Sequence, residues 1–317
     1  MLKSVIALAV TTLSLGAQGT AAADTVPFSL RFVAMHGDMP VGCTAPLSGL
    51  GPAGDMTIGI SDLRFYVSDV AFRTADGTEI AATLSDSPFQ ITRDGQAVAL
   101  IDLTDATSGS CAPGSISFGE GTDRVNDRVT GQRGSGSVTE VSFRIGVPQD
   151  LMRAVIAASS AEDAPSPMGE MYWNWATGYR HFVLNHTVDV TDGRFGEGYL
   201  HIGSMDCGPA EGKALSDRDS CGLVYTPAVS MPASTAAGAG SDETVVAVDL
   251  EPLFAAVDFV APVYDPETFA IIGERPGTDC HSSRRQPDCA AIFPVFGLDM
   301  DTGGADAAAN RVFRPLP

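Results

Sequence analysis

The chain has 317 residues and a formal net charge of −20, because 39 acidic side chains face only 19 basic ones. Nucleic acids and anionic lipid surfaces are also negative, so this balance argues against both as main partners. After the N-terminal segment no apolar run reaches the about 18 residues of a membrane-spanning helix. An enzyme, a binding protein and an interaction module remain as candidate classes.

Residues 1–23 have the pattern of an export signal. Lys3 provides a charged start, Val5 to Leu15 form an apolar segment, and Ala21 to Ala23 form a small-residue cleavage site. The mature chain, residues 24–317, is therefore expected in the periplasm. We expect it to form a single β-rich domain there, for the reasons that follow.

Short apolar stretches, separated by turn signals rich in Gly, Asp and Pro, follow one another along the chain. In an extended segment every second side chain shares a face, so alternating apolar residues indicate half-buried strands. The predicted strands cover residues 27–35, 56–73, 98–103, 138–147, 180–190, 199–203, 244–250 and 291–298. Short helices are predicted at 151–159 and 252–257. The pattern predicts an all-β fold, an Ig-like β-sandwich with long loops, disulfides and few short helices.

Six cysteines follow the export signal, namely Cys43, Cys111, Cys207, Cys221, Cys280 and Cys289. An even number in an oxidising compartment predicts three disulfides, although their connectivity stays open. Polar segments of loop composition follow Cys207 and Cys280, so each is predicted to pair with the next cysteine. That leaves the first two cysteines for each other. No Cys-x-x-Cys occurs, which argues against a zinc ribbon or a c-type haem.

Aromatic and soft side chains are concentrated between residues 165 and 207, which contain both tryptophans, three of the five histidines and three of the ten methionines. Thioether sulfur suits Cu(I), and imidazole suits copper in either oxidation state. The same composition would also suit a core strand and a hairpin, because Met and Trp commonly fill cores. Met171, Trp173 and Trp175 share one face if this segment is extended.

Two histidines are best placed for a metal site between elements. His36 lies between two methionines at the end of the first predicted strand, where a solvent-facing turn is the alternative. His201 lies on a later strand and faces away from its apolar neighbours. The candidate metal ligands are therefore His201, His36, Met39 and Met168.

The other three histidines are not among the predicted ligands. His181 and His186 lie an odd number of residues apart, so a regular strand presents them on opposite faces. His281 falls inside the predicted disulfide loop and is expected on the surface. No nucleophile elbow, His-Glu-x-x-His, P-loop or dinucleotide fingerprint is present, so we expect no enzymatic activity.

Five segments occur together and in order. They are Leu63–Val70, Phe143–Pro148, Ser166–Met168, the Met171-x-Trp173-x-Trp175-x-x-Gly178-Tyr179 block, and His201–Ser204 with Cys207 after it. In these segments the chain resembles the MbnP-like family of exported copper-binding proteins, also called metallo-mystery pair four-Cys proteins. The tryptophan block followed by His-Ile-Gly-Ser is the most specific part, and the matches span almost the whole mature chain.

The resemblance implies a periplasmic copper-binding protein in copper uptake, storage or trafficking. It also implies a di-haem cytochrome c peroxidase-like partner (MbnH-like) that oxidises a tryptophan to kynurenine. Trp173 and Trp175 are the candidates for this modification, and His201 is the matching histidine. Indole offers only an N–H donor, whereas the aniline nitrogen of kynurenine has a lone pair for copper.

The number of cysteines in the resemblance and one alternative interpretation stay open. The chain has six cysteines where the family name speaks of four, so one pair is expected to be an additional disulfide. The alternative interpretation is a metal-free, Ig-like interaction or adhesion module of the cell envelope.

Overall fold

A computed structural model describes residues 24–158, 166–173, 178–207, 221–233, 242–268 and 270–316. The predicted export signal and Trp175 lie outside these residues. The strands are β1 (Thr25–His36), β2 (Met39–Pro40), β3 (Leu47–Leu50), β4 (Met56–Arg73), β5 (Glu79–Leu84), β6 (Gln90–Arg93), β7 (Gln96–Asp102), β8 (Arg128–Gly134), β9 (Glu140–Ile145), β10 (Tyr172–Trp173), β11 (Gly178–Val190), β12 (Phe195–Gly203), β13 (Met205–Cys207), β14 (Cys221–Leu223), β15 (Ala228–Pro232), β16 (Asp242–Asp249), β17 (Val260–Tyr264), β18 (Ile271–Pro276), β19 (Asp279–His281), β20 (Phe296–Leu298), β21 (Ala305–Asn310) and β22 (Phe313–Pro315). The helices are α1 (Gln149–Ala158), α2 (Glu251–Phe254) and α3 (Pro287–Ile292), with 3₁₀ turns at Gly109–Cys111 and Phe293–Val295.

One large curled sheet dominates the fold. Its longest hydrogen-bonded path runs β19-β12-β11-β4-β5-β8-β1-β16-β22. Strand β4 has 18 residues and joins the two halves, because its first part pairs with β11 and its last part with β9 and β5. Most neighbours are antiparallel, whereas β1 with β16 and β12 with β19 are parallel. The predicted all-β class is confirmed.

The two faces of β4 and β11 cover different apolar clusters. Phe65 and Phe182 stack in the main core with ring centroids 6.0 Å apart, and Phe313 packs edge-on against Phe65. On the opposite face, Tyr66 and Val183 belong to a smaller cluster that also contains Met152, Met168 and Met171. Each fully buried Phe contributes about 1.5–3 kcal/mol relative to an exposed one. The alternation predicted for residues 180–190 is therefore present.

All six cysteines form disulfides. The bonds are Cys43–Cys111, Cys207–Cys221 and Cys280–Cys289. A native disulfide in an exported protein typically contributes about 2–5 kcal/mol. The predicted framework is confirmed, and it leaves no thiolate for a metal ion.

The last predicted strand, at residues 291–298, is wrong over most of its length. Helix α3 extends to Ile292, a 3₁₀ turn follows, and only β20 is extended. A short apolar run fits a buried helix as well as a strand. Pro294 has no N–H to donate to a sheet and fits the start of the 3₁₀ turn.

Several strands lie outside the predicted ones. Among them are β8, β14, β15 and β21. Strand β21 reads Ala-Asp-Ala-Ala-Ala-Asn and is half exposed, so it lacks the apolar alternation that predicts a strand. In the described part of the chain no helix is both long and apolar enough to cross a membrane.

Candidate metal centre

Two imidazoles meet at the edge of the sheet where β19 pairs with β12. The parallel register of β12 and β19 places His201 directly opposite His281. Directly opposed residues on neighbouring strands present their side chains on the same face. The two Nδ1 atoms lie 3.0 Å apart, and the ring centroids are separated by 4.7 Å.

The hydrogen-bond partner of His201 determines its tautomer. Its Nε2 lies 2.7 Å from Oδ1 of Asn185, and an amide oxygen only accepts hydrogen bonds. Nε2 therefore carries the hydrogen and Nδ1 the lone pair. Burial, followed by the neighbouring His281 and Arg180, holds the pKa of His201 well below its ordinary value. The imidazole is thus neutral and able to bind a cation through Nδ1.

The environment of His281 favours the same tautomer. Its side chain is 30% exposed, and its Nε2 lies 3.4 Å from Oδ1 of Asp279. Although burial raises the pKa of Asp279, its contact with His281 brings the net shift below the ordinary value. The hydroxyl of Tyr264 donates to the other carboxylate oxygen of Asp279 at 3.3 Å. The ring of Tyr199 stacks on His281 with centroids 5.9 Å apart.

With a hydrogen on each Nε2, the two Nδ1 lone pairs face each other. This arrangement is repulsive unless a proton or a cation lies between the nitrogens. Imidazole nitrogens bind zinc at about 2.0–2.1 Å, so two nitrogens on one ion can be at most about 4 Å apart. The observed 3.0 Å is the length of an N–H···N hydrogen bond and is also within this limit, so a metal ion that imidazole prefers, such as copper or zinc, can take the place of the shared proton.

The pair lies at one end of a cross-strand row. From β7 to β19 the row consists of Asp102, Arg64, Val183, His201 and His281. Arg64 is fully buried and binds Asp62 through two hydrogen bonds of 2.6 and 2.7 Å. Its backbone lies two strands from that of His201, about 10 Å at ordinary sheet spacing. The charge of Arg64 also lowers the pKa of the His201 imidazole.

No larger cluster of common metal ligands surrounds the pair in the residues that the structure describes. Within those ranges no group of three or more His, Cys, Asp or Glu side chains is arranged to hold a metal ion. Within those ranges the imidazole pair therefore offers two candidate ligands of these residue types.

Two of the other predicted ligands, His36 and Met39, lie on a different part of the fold, whereas Met168 belongs to the cluster that contains Val183, the residue opposite His201. His36 pairs with Met39 across the β1–β2 hairpin, where its ring lies 6.4 Å from that of Phe254 and Met39 is 58% exposed. Along the sheet path β1 is separated from β12 by β11, β4, β5 and β8. Met168 is fully buried in the smaller apolar cluster. Metal binding by these three residues stays a prediction.

The tryptophan segment pairs with the start of β11. In the backbone, Trp173 at the end of β10 pairs with Gly178 at the start of β11. Two residues further along β11, Arg180 pairs with Gly203 of β12, the strand that carries His201. Trp175 lies outside the described residues.

His281 is the candidate ligand that the sequence did not indicate. It was expected on the surface, but it is half-buried against His201 because β19 pairs in parallel with β12. A weak signal was present, since Asp279 and His281 are two residues apart and share a face of any extended segment. Nothing in the sequence pattern indicates that β19 pairs in parallel with β12. The hydrogen bond of Asn185 to His201 was not predicted either.

Fold and site together define an all-β protein with a two-imidazole centre at a sheet edge. The family model MbnP matches residues 25–270, so the chain belongs to the MbnP family. His201 lies within that match, and His281 lies beyond its end.

The fold is shared with a solved structure, MbnP from Methylosinus trichosporium. The TM-score is 0.63 at 24% identity, and the alignment covers 92% of this chain and 98% of the other. Among curated proteins, none matches the chain.

Proposed function

We propose that the protein binds copper in the periplasm, for uptake, storage or trafficking, through the Nδ1 atoms of His201 and His281. The observation that carries the proposal is the 3.0 Å approach of these two nitrogens, with an acceptor beside each Nε2. Metal-binding histidines commonly donate their other ring N–H to a carboxylate or carbonyl oxygen. Asn185 and Asp279 occupy these positions here.

Copper is favoured by the donor set and by the family resemblance. Neutral imidazole suits copper, and among divalent first-row metals copper binds most tightly to a given nitrogen site. All six cysteines are oxidised, so the thiolates that would select other soft-metal chemistry are absent from the ligand set.

A tryptophan-derived ligand would complete the centre. We propose that a di-haem peroxidase-like partner converts Trp173 or Trp175 to kynurenine, as the resemblance implies. The support from the fold is the β10–β11 hairpin, which leads into the strand that pairs with β12. The aniline nitrogen of kynurenine would be a neutral donor beside the two imidazoles.

Copper titration of four proteins tests the ligand assignment. Cu(I) competition with a chromophoric chelator is measured for wild type, His201→Ala, His281→Ala and His36→Ala. We expect both members of the pair to lose most of the affinity, because a methyl group cannot replace an imidazole nitrogen. His36→Ala is the matched control and should bind as wild type does. Loss of affinity only in His36→Ala would place the site on β1.

Intact-mass measurement tests the modification. Protein from the native host should differ from protein made without the partner by one added oxygen and one lost carbon. Trp173→Phe and Trp175→Phe should identify the target, because only one of them should remove the mass change. A native protein with both tryptophans intact would contradict the kynurenine part alone.

A further inference from the structure

Strand β19 carries three functional elements in three residues. The side chains of Asp279 and His281 lie on the same face of the sheet as His201, and Cys280 between them points to the main core. Cys280 and Cys289 are both completely buried, and their disulfide joins β19 to the first turns of α3. The proposed ligand His281 and the carboxylate of Asp279, which orients it, are therefore the direct neighbours of a disulfide-bonded cysteine.

Two backbone attachments of β19 come from the same disulfide loop. The N–H of His281 donates to Oε1 of Gln286, and the N–H of Asp279 donates to Oδ2 of Asp288, each at 2.7 Å. Gln286 and Asp288 lie within three residues of Cys289, so both contacts require this end of the loop to stay beside β19. Strand β19 also pairs with β12 over three residue positions, and Ser282 next to it accepts from the N–H of Gly203 at 2.7 Å and donates to the carbonyl of His201 at 3.0 Å.

We propose that the Cys280–Cys289 disulfide is a positioning element of the metal centre, which sets copper affinity by holding His281 against His201. The inference rests on the proposed function. Without the disulfide, a three-residue edge strand would have to order itself each time the ion binds. When only a fraction of the molecules is competent, the apparent dissociation constant rises by the inverse of that fraction. A competent fraction of about 1–10% corresponds to affinity lower by about 10–100-fold.

The test compares two disulfides. Cys280→Ala/Cys289→Ala removes the proposed positioning bond, and Cys43→Ala/Cys111→Ala is the matched control. The control bond spans 68 residues against nine, so in the chain-entropy model its loss costs more stability. Cu(I) affinity is measured under anaerobic conditions with ascorbate, which leaves disulfides intact. We expect about 10–100-fold weaker binding in the first variant and wild-type affinity in the control.

A double-mutant cycle separates positioning from general destabilisation. In the His281→Ala background, removal of Cys280–Cys289 should cause no further loss of affinity, because the ligand that it positions is already gone. Wild-type affinity in Cys280→Ala/Cys289→Ala, equal losses in both disulfide variants, or additive losses in the cycle would each overturn the proposal.

Two precautions keep the outcome decisive. Both cysteines lie in the main core, so Cys280→Val/Cys289→Ala, which fills more of the vacated space, replaces the first variant if that variant does not fold. Wild-type protein that binds no Cu(I) would contradict the proposed function. Tight wild-type binding that is insensitive to this disulfide would contradict only the present inference.

Discussion

The amide of Asn185 determines which nitrogen of His201 faces the partner ring. Its Oδ1 accepts from Nε2 at 2.7 Å, inside a fully buried environment. We predict that Asn185→Ala weakens Cu(I) binding by about 10–100-fold, as is typical for loss of an outer hydrogen-bond partner of a metal ligand. The measurement is chelator competition on the folded variant.

Asn310→Ala is the control for the Asn185 prediction. The Asn310 side chain accepts from the backbone N–H groups of Val312 and Phe313, so its removal also costs hydrogen bonds. It lies on β21, which pairs with β20 rather than with the sheet edge that carries the pair. Equal affinity losses in the two variants would show that Asn185 acts through stability instead of tautomer selection.

Two further buried histidines make stability depend on pH. Burial lowers the pKa of His181 to about 4 and that of His186 to about 3, whereas an unfolded histidine titrates near 6.5. Above about pH 6.5 both states are neutral. As the pH falls below that value the unfolded chain gains protons first, so the folded state loses stability until its own histidines titrate.

The variant His186→Leu isolates one of these contributions. Between about pH 6 and 4 the stability of wild type should fall more steeply than that of the variant, by up to about 1.4 kcal/mol per pH unit. Asp102 acts in the opposite direction, because burial raises its pKa to about 7, but it is common to both proteins. Urea unfolding across this range gives the two slopes. Parallel curves would mean that His186 is protonated in the folded protein.

The sequence predicted half of the imidazole pair. Alternation along residues 199–203 was enough to place His201 on the face opposite Leu200, and the family motif singled out the same residue. His281 was not predicted as a ligand, since a histidine in a polar disulfide loop gives no indication of the strand beside it. The contacts that bring it to His201 are between residues 80 positions apart.

At the scale of elements, Gly198 allows β11 and β12 to approach at His186. A Cβ built on Gly198 would lie 2.2 Å from two ring atoms of His186 and 2.5 Å from Oγ1 of Thr278. We predict that Gly198→Ala destabilises the protein by about 1–3 kcal/mol, the usual cost of overpacking. Urea unfolding measures the change.

Gly42→Ala is the matched control for Gly198→Ala. A Cβ at Gly42 meets no atom within 4 Å, and its φ is not in the left-handed region. Its substitution should be neutral or slightly stabilising, because alanine restricts the unfolded chain. A Gly198→Ala protein as stable as this control would show that the two strands can separate at His186 without cost.

Strands were predictable where one or both faces are apolar. Strand β4 has the predicted limits, residues 56–73, since its run of apolar residues is long and ends at a turn signal. The half-exposed β21 and the helix α3 were not predictable, because one lacks apolar side chains and the other has an ambiguous apolar run.

For the whole molecule, the order of strands in the curled sheet could not be predicted from the sequence. Parallel pairings such as β1 with β16 and β12 with β19 connect segments that are far apart in the chain. These long-range pairings nevertheless determine the site, because β12 and β19 each supply one imidazole. A family resemblance could indicate copper, but only the three-dimensional arrangement indicates which second histidine would bind it.

The most direct test of the central claim is a copper-edge anomalous difference map from crystals of the protein purified from its native host. We expect one dominant peak between Nδ1 of His201 and Nδ1 of His281, and no peak at the same site in crystals of His281→Ala. A fully loaded wild-type crystal with its peak beside His36, or with none near the imidazole pair, would contradict the account.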